Sequence, residues 1–153
     1  MNNKNGISFT VEGEPCGKGR PRVYGKHAVT PEKTKAYEEL VQMSYISQVR
    51  YKCFSKNECI EMRIVAYYTI PKNTPKWQIP LMLEGKIRPV KKPDWDNIGK
   101  IIADSLNQVA YYDDAQIVDS LVRKFYSDKP RVEVYITKAD CFPPNITKKE
   151  LEL

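Results

Sequence analysis

Three stretches in which apolar and polar residues alternate with a period of two set the strongest limit on what this chain can fold into. Ile7, Phe9 and Val11 alternate with Ser8, Thr10 and Glu12; Met62, Ile64, Ala66 and Tyr68 with Glu61, Arg63, Val65 and Tyr67; Val132, Val134 and Ile136 with Arg131, Glu133 and Tyr135. Successive side chains of a strand point to opposite faces, so each stretch predicts a strand that buries one face only. A fourth strand is expected over Ile117 to Tyr126, rich in β-branched and aromatic residues, with Ser127 to Pro130 as a hairpin to the last strand. A sheet covered on one face needs helices, and two are predicted. Thr30-Pro31-Glu32 reads as a helix start, with Thr as N-cap and Pro at the first helical position; Tyr37, Leu40, Val41, Ser44 and Gln48 follow at helical spacing to about Val49. Ile98, Ile101, Ile102, Leu106 and Val109 predict a second amphipathic helix of about fourteen residues starting near Asp94 or Asp96. The expected class is α+β, a single domain with a mixed or antiparallel sheet and two main helices.

At 153 residues the chain can bury a core without staples. The domain is expected over residues 1–139, with 140–153 as a poorly ordered tail after Pro143-Pro144. Pro15 to Lys26 reads as a Gly-rich basic loop. Residues 71–93, carrying five prolines and five lysines, read as a long connection with a short amphipathic turn around Trp77 to Leu83. Cys16, Cys53, Cys59 and Cys141 form no C-x-x-C pair and the single His27 sits in a loop-like run, so zinc is not indicated and the cysteines are read as free thiols. The start, Met1 to Gly6, is polar, no apolar run suits a membrane span, and the cytoplasm is the expected compartment.

The charge distribution carries the chemistry. Twenty-five Lys and Arg against nineteen Asp and Glu leave a net charge of +6. Because acids concentrate around Asp94, Asp96, Asp113 and Asp114, the rest of the surface is more basic than the total. A basic field favours a polyanion, most often nucleic acid. Carboxylates next to Lys91, Lys92 and Lys100 make sense if they hold Mg²⁺ against a phosphodiester, since hard Mg²⁺ takes one or two carboxylates plus waters and phosphate oxygens. Asp94 and Asp96 stand one residue apart at a helix mouth, and Asp114 is the candidate third ligand. Competing explanations are structural: Asp96 as an N-cap, Lys100 in an i, i+4 pair with Asp96, Asp104 paired with Lys100. Capping accounts for only one of Asp94 and Asp96 and leaves the Asp113-Asp114 pair unexplained.

Pro93-Asp94-Trp95-Asp96-Asn97-Ile98-Gly99-Lys100, then Asp104-Ser105-Leu106-Asn107, then Asp113-Asp114-Ala115-Gln116 closely resembles the RusA family of Holliday-junction resolvases, many of them carried by phages and prophages. The resemblance spans about Lys92 to Ile136 and touches Gly17-Lys18-Gly19-Arg20-Pro21-Arg22. It implies a RusA-like, homodimeric α+β endodeoxyribonuclease, dependent on Mg²⁺ with Mn²⁺ as a substitute, that nicks two strands of a four-way DNA junction symmetrically in recombination and repair. Asp94, Asp96 and Asp114 match the family's metal-binding acids, Lys100 its essential lysine, and Asp113 is a secondary metal candidate. Lys18, Arg20, Arg22, Lys91 and Lys92 are expected on phosphates. Two positions depart from the pattern: Gly99 stands where the family usually has a larger apolar residue, and Gln108 replaces a common turn Gly.

Two other classes are compatible with parts of the sequence. One is a branched-DNA-binding protein that keeps the acids but does not cut. The other reads Asp94-Trp95-Asp96 as the D-x-D of a sugar-nucleotide transferase, which would require a nucleotide-binding βαβ pattern that this chain does not present.

Overall fold

A computed structural model describes residues 6–152; the polar start at Met1 to Asn5 lies outside the described residues. β1 (Ile7–Glu12), β4 (Ile60–Thr69), β5 (Ile117–Ser127) and β6 (Arg131–Lys138) form one mixed sheet, and β2 (Arg22–Tyr24) pairs with β3 (His27–Val29) in a separate two-stranded ribbon. Three helices complete the chain: α1 (Glu32–Val49), α2 (Ile79–Leu83) and α3 (Trp95–Ser105). The fold is α+β, as the alternation predicts.

The core lies on one face of the sheet. Ile7, Phe9 and Val11 of β1, Met62, Ile64, Ala66 and Tyr68 of β4, and Val132, Val134 and Ile136 of β6 are all buried, the same alternate positions that the period of two selects. They meet Tyr37, Val41 and Tyr45 of α1 and Ile98, Ile101 and Ile102 of α3 in a single cluster. The buried stripe of α1 runs Thr34, Tyr37, Val41, Tyr45, and Leu40 is 41% exposed, so the helix is rotated from the expected Leu40–Ser44 face. Its N-cap is Pro31 with extended backbone, one residue later than the expected Thr30.

Sheet order corrects one expectation. The strands run β1-β6-β4-β5, with β4 parallel to β5 and antiparallel to β6. Ser127 to Pro130 therefore does not close a hairpin; it carries the chain across the end of β4, from Ser127 beside Thr69 to Arg131 beside Tyr67. Strands two positions apart are separated by roughly 10 Å, which a link this short can span. Burial supplies the reason. β4 and β6 each present an unbroken apolar face and occupy the centre, whereas Val118 to Leu121 of β5 are exposed and suit an edge.

The second correction concerns Arg22 to Val29. Read partly as loop, it forms a hairpin turned at Gly25, whose φ of 63° is the left-handed conformation glycine adopts without strain. All six strand residues are exposed, so no apolar alternation marks it in the sequence. The tail from Asp140 carries turns, including a Thr147–Glu150 hydrogen-bonded pair, and no further helix or strand among the described residues.

Candidate active site

The residues of interest converge on α3. The helix begins at Trp95 with Asp94 as N-cap, yet the Asp94 side chain accepts no capping hydrogen bond, and the first turn closes through Ile98 N–H to the Asp94 carbonyl at 3.0 Å. The carboxylates of Asp94 and Asp96 are both exposed, so neither is consumed by helix capping. The segment leading in is fastened to the sheet: the Tyr68 hydroxyl donates to the Pro93 carbonyl at 2.7 Å, the Lys124 ammonium to the Lys91 carbonyl at 2.5 Å, and Arg88 Nε to the Lys124 carbonyl at 2.9 Å. From the other side, Gly17 is wedged so tightly that a Cβ on it would stand 2.8 Å from Pro93 Cβ and 3.1 Å from Asn97 Cβ, and Lys18 N–H donates to the Asn97 carbonyl at 3.0 Å.

Asp114 is delivered by a different device. α3 stops at Ser105, after eleven residues instead of about fourteen, and Gln108 takes a φ of 64° to reverse the chain, at a position where glycine would be unstrained. Asn107 Oδ1 then accepts from Asp114 N–H at 2.8 Å. Asp113 caps the one-turn 3-10 helix Asp114–Gln116, its carboxylate accepting from Ala115 N–H at 2.7 Å while Gln116 Oε1 accepts from Asp113 N–H at 3.1 Å. Asp113 is thus engaged in a capping box, in which the Asp114 carboxylate takes no part.

Asp96, Lys100 and Asp114 line one cavity of about 260 Å³, together with Trp95, Gly99, Ala103, Met62, Ile117, Ser120 and Val122. Asp94 is not part of that lining. Its charge acts on Tyr68 and Lys124 at the helix mouth, and burial nevertheless holds the Lys124 ammonium below the usual lysine range. Asp104 does not pair with Lys100; its carboxylate lies 3.3 Å from the Lys18 ammonium and within hydrogen-bonding reach of Asp114. Burial, then hydrogen bonding and charge from Asp104 and Asp113, push the Asp114 carboxyl above the usual range. Asp104, which the sequence marks only as a salt-bridge partner, and Lys124 are thus two neighbours of the site that its charge pattern does not single out.

The basic residues divide. Lys18, expected on phosphate, is occupied: its ammonium binds Glu38 and Asp104, and although burial works against the charge, those hydrogen bonds hold its pKa above the usual value. Arg20 and Arg22, on the exposed approach to the hairpin, and Lys91 and Lys92 are exposed. A larger cavity of about 480 Å³ lies on the open face of the sheet, but its only carboxylate, Glu61, is paired with Arg63 at 2.6 Å. It offers no comparable chemistry.

Comparison with known proteins decides the relationship. The sequence profile of the family described as "Endodeoxyribonuclease RusA" matches residues 12–137. The chain belongs to the RusA endodeoxyribonuclease family. "Uncharacterized protein YqaN" of Bacillus subtilis (strain 168) is 40% identical to this chain over 136 residues, covering 85% of this chain and 94% of that protein. "Crossover junction endodeoxyribonuclease rusA" of Lactococcus phage r1t is 31% identical over 88 residues, 57% of this chain and 60% of the phage protein. No helix among the described residues is long and apolar enough to cross a membrane.

Proposed function

We propose that this protein is a structure-selective endodeoxyribonuclease that resolves four-way DNA junctions by symmetric nicking, acting as a homodimer with a divalent cation, Mg²⁺ by preference. The observation that carries this reading is the cleft shared by Asp96, Lys100 and Asp114 in a chain of this family.

A cation fits the donor set. No three Asp, Glu, His or Cys side chains among the described residues form a closed cage. Mg²⁺ does not need one, because it keeps several waters and binds through one or two carboxylates plus substrate oxygens. The raised pKa of Asp114 comes first from burial and then from the crowding of Asp104 and Asp113 against it, an arrangement that a bound cation would relieve. Asp96 and Asp114 would hold the ion, with Asp94 joining them from the helix mouth and Asp113 as a further donor. When bound, Mg²⁺ supplies Lewis acidity toward the phosphate and lowers the pKa of a coordinated water.

The protein's own residues do the rest. Lys100, one turn along α3 from Asp96, presents its ammonium to the phosphate as negative charge builds on its oxygens. The Tyr68–Pro93, Lys124–Lys91 and Lys18–Asn97 hydrogen bonds fix the helix mouth from both sides, so the acids are positioned before substrate arrives. Arg20, Arg22, Lys91 and Lys92 bind backbone phosphates, which sets the orientation of DNA without reading its bases. Two-fold symmetry of a dimer matches the two equivalent scissile strands of a junction.

The deciding experiment incubates wild-type, Asp96→Asn and Lys100→Ala proteins with a labelled four-way junction, with and without Mg²⁺. Symmetric nicks are expected from wild type only with the metal, none from Asp96→Asn despite a retained bandshift, and kcat lowered by about 100-fold in Lys100→Ala. A bandshift without product in wild type would make it a binding protein instead.

A further inference from the structure

The cleft contains an apolar half that phosphodiester chemistry does not use. Trp95 lines it while remaining 66% exposed, and the indole forms no hydrogen bond or aromatic contact among the described residues. Gly99 lies one helical turn on, so the space over Gly99 adjoins the indole, and Ala103 continues the same stripe. Packing does not demand glycine here. A Cβ at position 99 would meet Val122 Cγ2 at 3.5 Å, an ordinary contact, and the backbone is helical, where glycine is the poorer choice. What glycine leaves is room. Met62, Ile117 and Val122 floor that space, while Asp96, Lys100 and Asp114 stand at its polar side.

We infer that this cleft seats one unstacked nucleobase beside the phosphate to be cut, its ring lying on the Trp95 indole over Gly99. The inference rests on the nuclease reading. A cavity of about 260 Å³ is smaller than the pockets that hold drug-sized ligands and suits a single planar ring system. An exposed indole gives every base a stacking surface, and Lys100 sets the adjoining phosphate in register. Bases near a branch point are available for this, whereas a base within a continuous duplex is held in its stack. The site thereby favours branched or single-stranded DNA over plain duplex.

The chain has two tryptophans, so Trp77→Phe leaves Trp95 as the sole tryptophan, read by excitation at the red edge where tyrosine does not absorb. Trp77 lies in the 71–93 connection, outside the cleft. That variant is titrated, without divalent metal, with a four-way junction, a single strand and a plain duplex, while anisotropy of labelled DNA reports occupancy independently. Strong quenching of Trp95 by junction and single strand, and little by duplex at equal occupancy, is expected. Gly99→Leu, which fills the space, and Trp95→Ala should each weaken single-strand binding about tenfold, while Gly99→Ala changes it little; thermal melts identify variants that have lost their fold. Saturated, cleavable junction with unquenched Trp95 would overturn the base pocket and leave the nuclease reading standing. Absence of any DNA binding by anisotropy would overturn both.

Discussion

At the scale of single residues, Asp114 carries the most specific prediction. Its carboxyl is pushed up by burial and by Asp104 and Asp113, so ionising it in the folded protein is harder than in the unfolded chain. A group raised in this way contributes stability that is complete below its unfolded pKa, about 4 for Asp, and is lost as pH rises through the higher folded value. Metal-free protein should therefore lose part of its stability across that window, and Asp114→Asn, uncharged throughout, should not. Comparing the two melting profiles cancels the carboxylates they share, among them Glu58, which burial alone would raise but which hydrogen bonds from Lys138 and Ser55 hold below the usual range. Identical pH profiles would show that Asp114 is not the strained acid. Added Mg²⁺ reverses the sign, because the ion binds only the ionised form and its affinity must climb as the proton leaves.

At the scale of elements, the loop Gly17-Lys18-Gly19 behaves as a spacer between two helix starts. Gly17 abuts Pro93 and Asn97, while at Gly19 a Cβ would stand 2.7 Å from Thr34 Oγ1 and 3.1 Å from Pro31 Cγ. Gly17→Ala must displace the mouth of α3, an overpacking that typically costs about 1–3 kcal/mol, and cleavage should fall by more than the loss of folded protein explains. Denaturant unfolding alongside single-turnover cleavage checks both; an undisturbed rate would mean the loop does not set the site. The same elements show what the sequence could reveal. A period of two tells which face of a strand is buried, and Met62 to Tyr68 and Val132 to Ile136 obey it, but alternation does not say which strand neighbours which, so β4 between β5 and β6 could not be read. Arg22 to Val29 buries nothing and left no pattern. The approach of Asp104 to Asp114 depends on the reversal at Gln108, a turn position the missing glycine flagged without giving its direction. Lys18 reads as a phosphate contact because the sequence shows its charge but not its partners, Glu38 and Asp104, which are distant along the chain.

At the scale of the whole molecule, the proposed junction cleavage asks for a basic field and for two-fold symmetry. Acids gather around α3 and the 3-10 turn, whereas the hairpin approach carries Arg20, Arg22 and Lys26 with no acid between positions 19 and 31. Each phosphate neutralised by a cation releases counterions, so the logarithm of affinity falls with the logarithm of salt by about 0.9 per contact on duplex DNA. Replacing Arg20 and Arg22 together by Ala should reduce that slope by nearly 2 while leaving the cleft's geometry intact, since both residues are exposed and neither lines the cleft. Junction affinities measured across a salt series decide it, and an unchanged slope would remove the hairpin from the DNA surface. A dimer adds a kinetic consequence that no monomer can imitate. Two sites held on one junction cut both strands before release, so a cruciform in a supercoiled plasmid should pass directly to linear product, with a sedimentation mass near twice the 17.7 kDa of one chain. Accumulation of singly nicked circles at saturating enzyme, with the mass of one chain, would show that each protomer works alone.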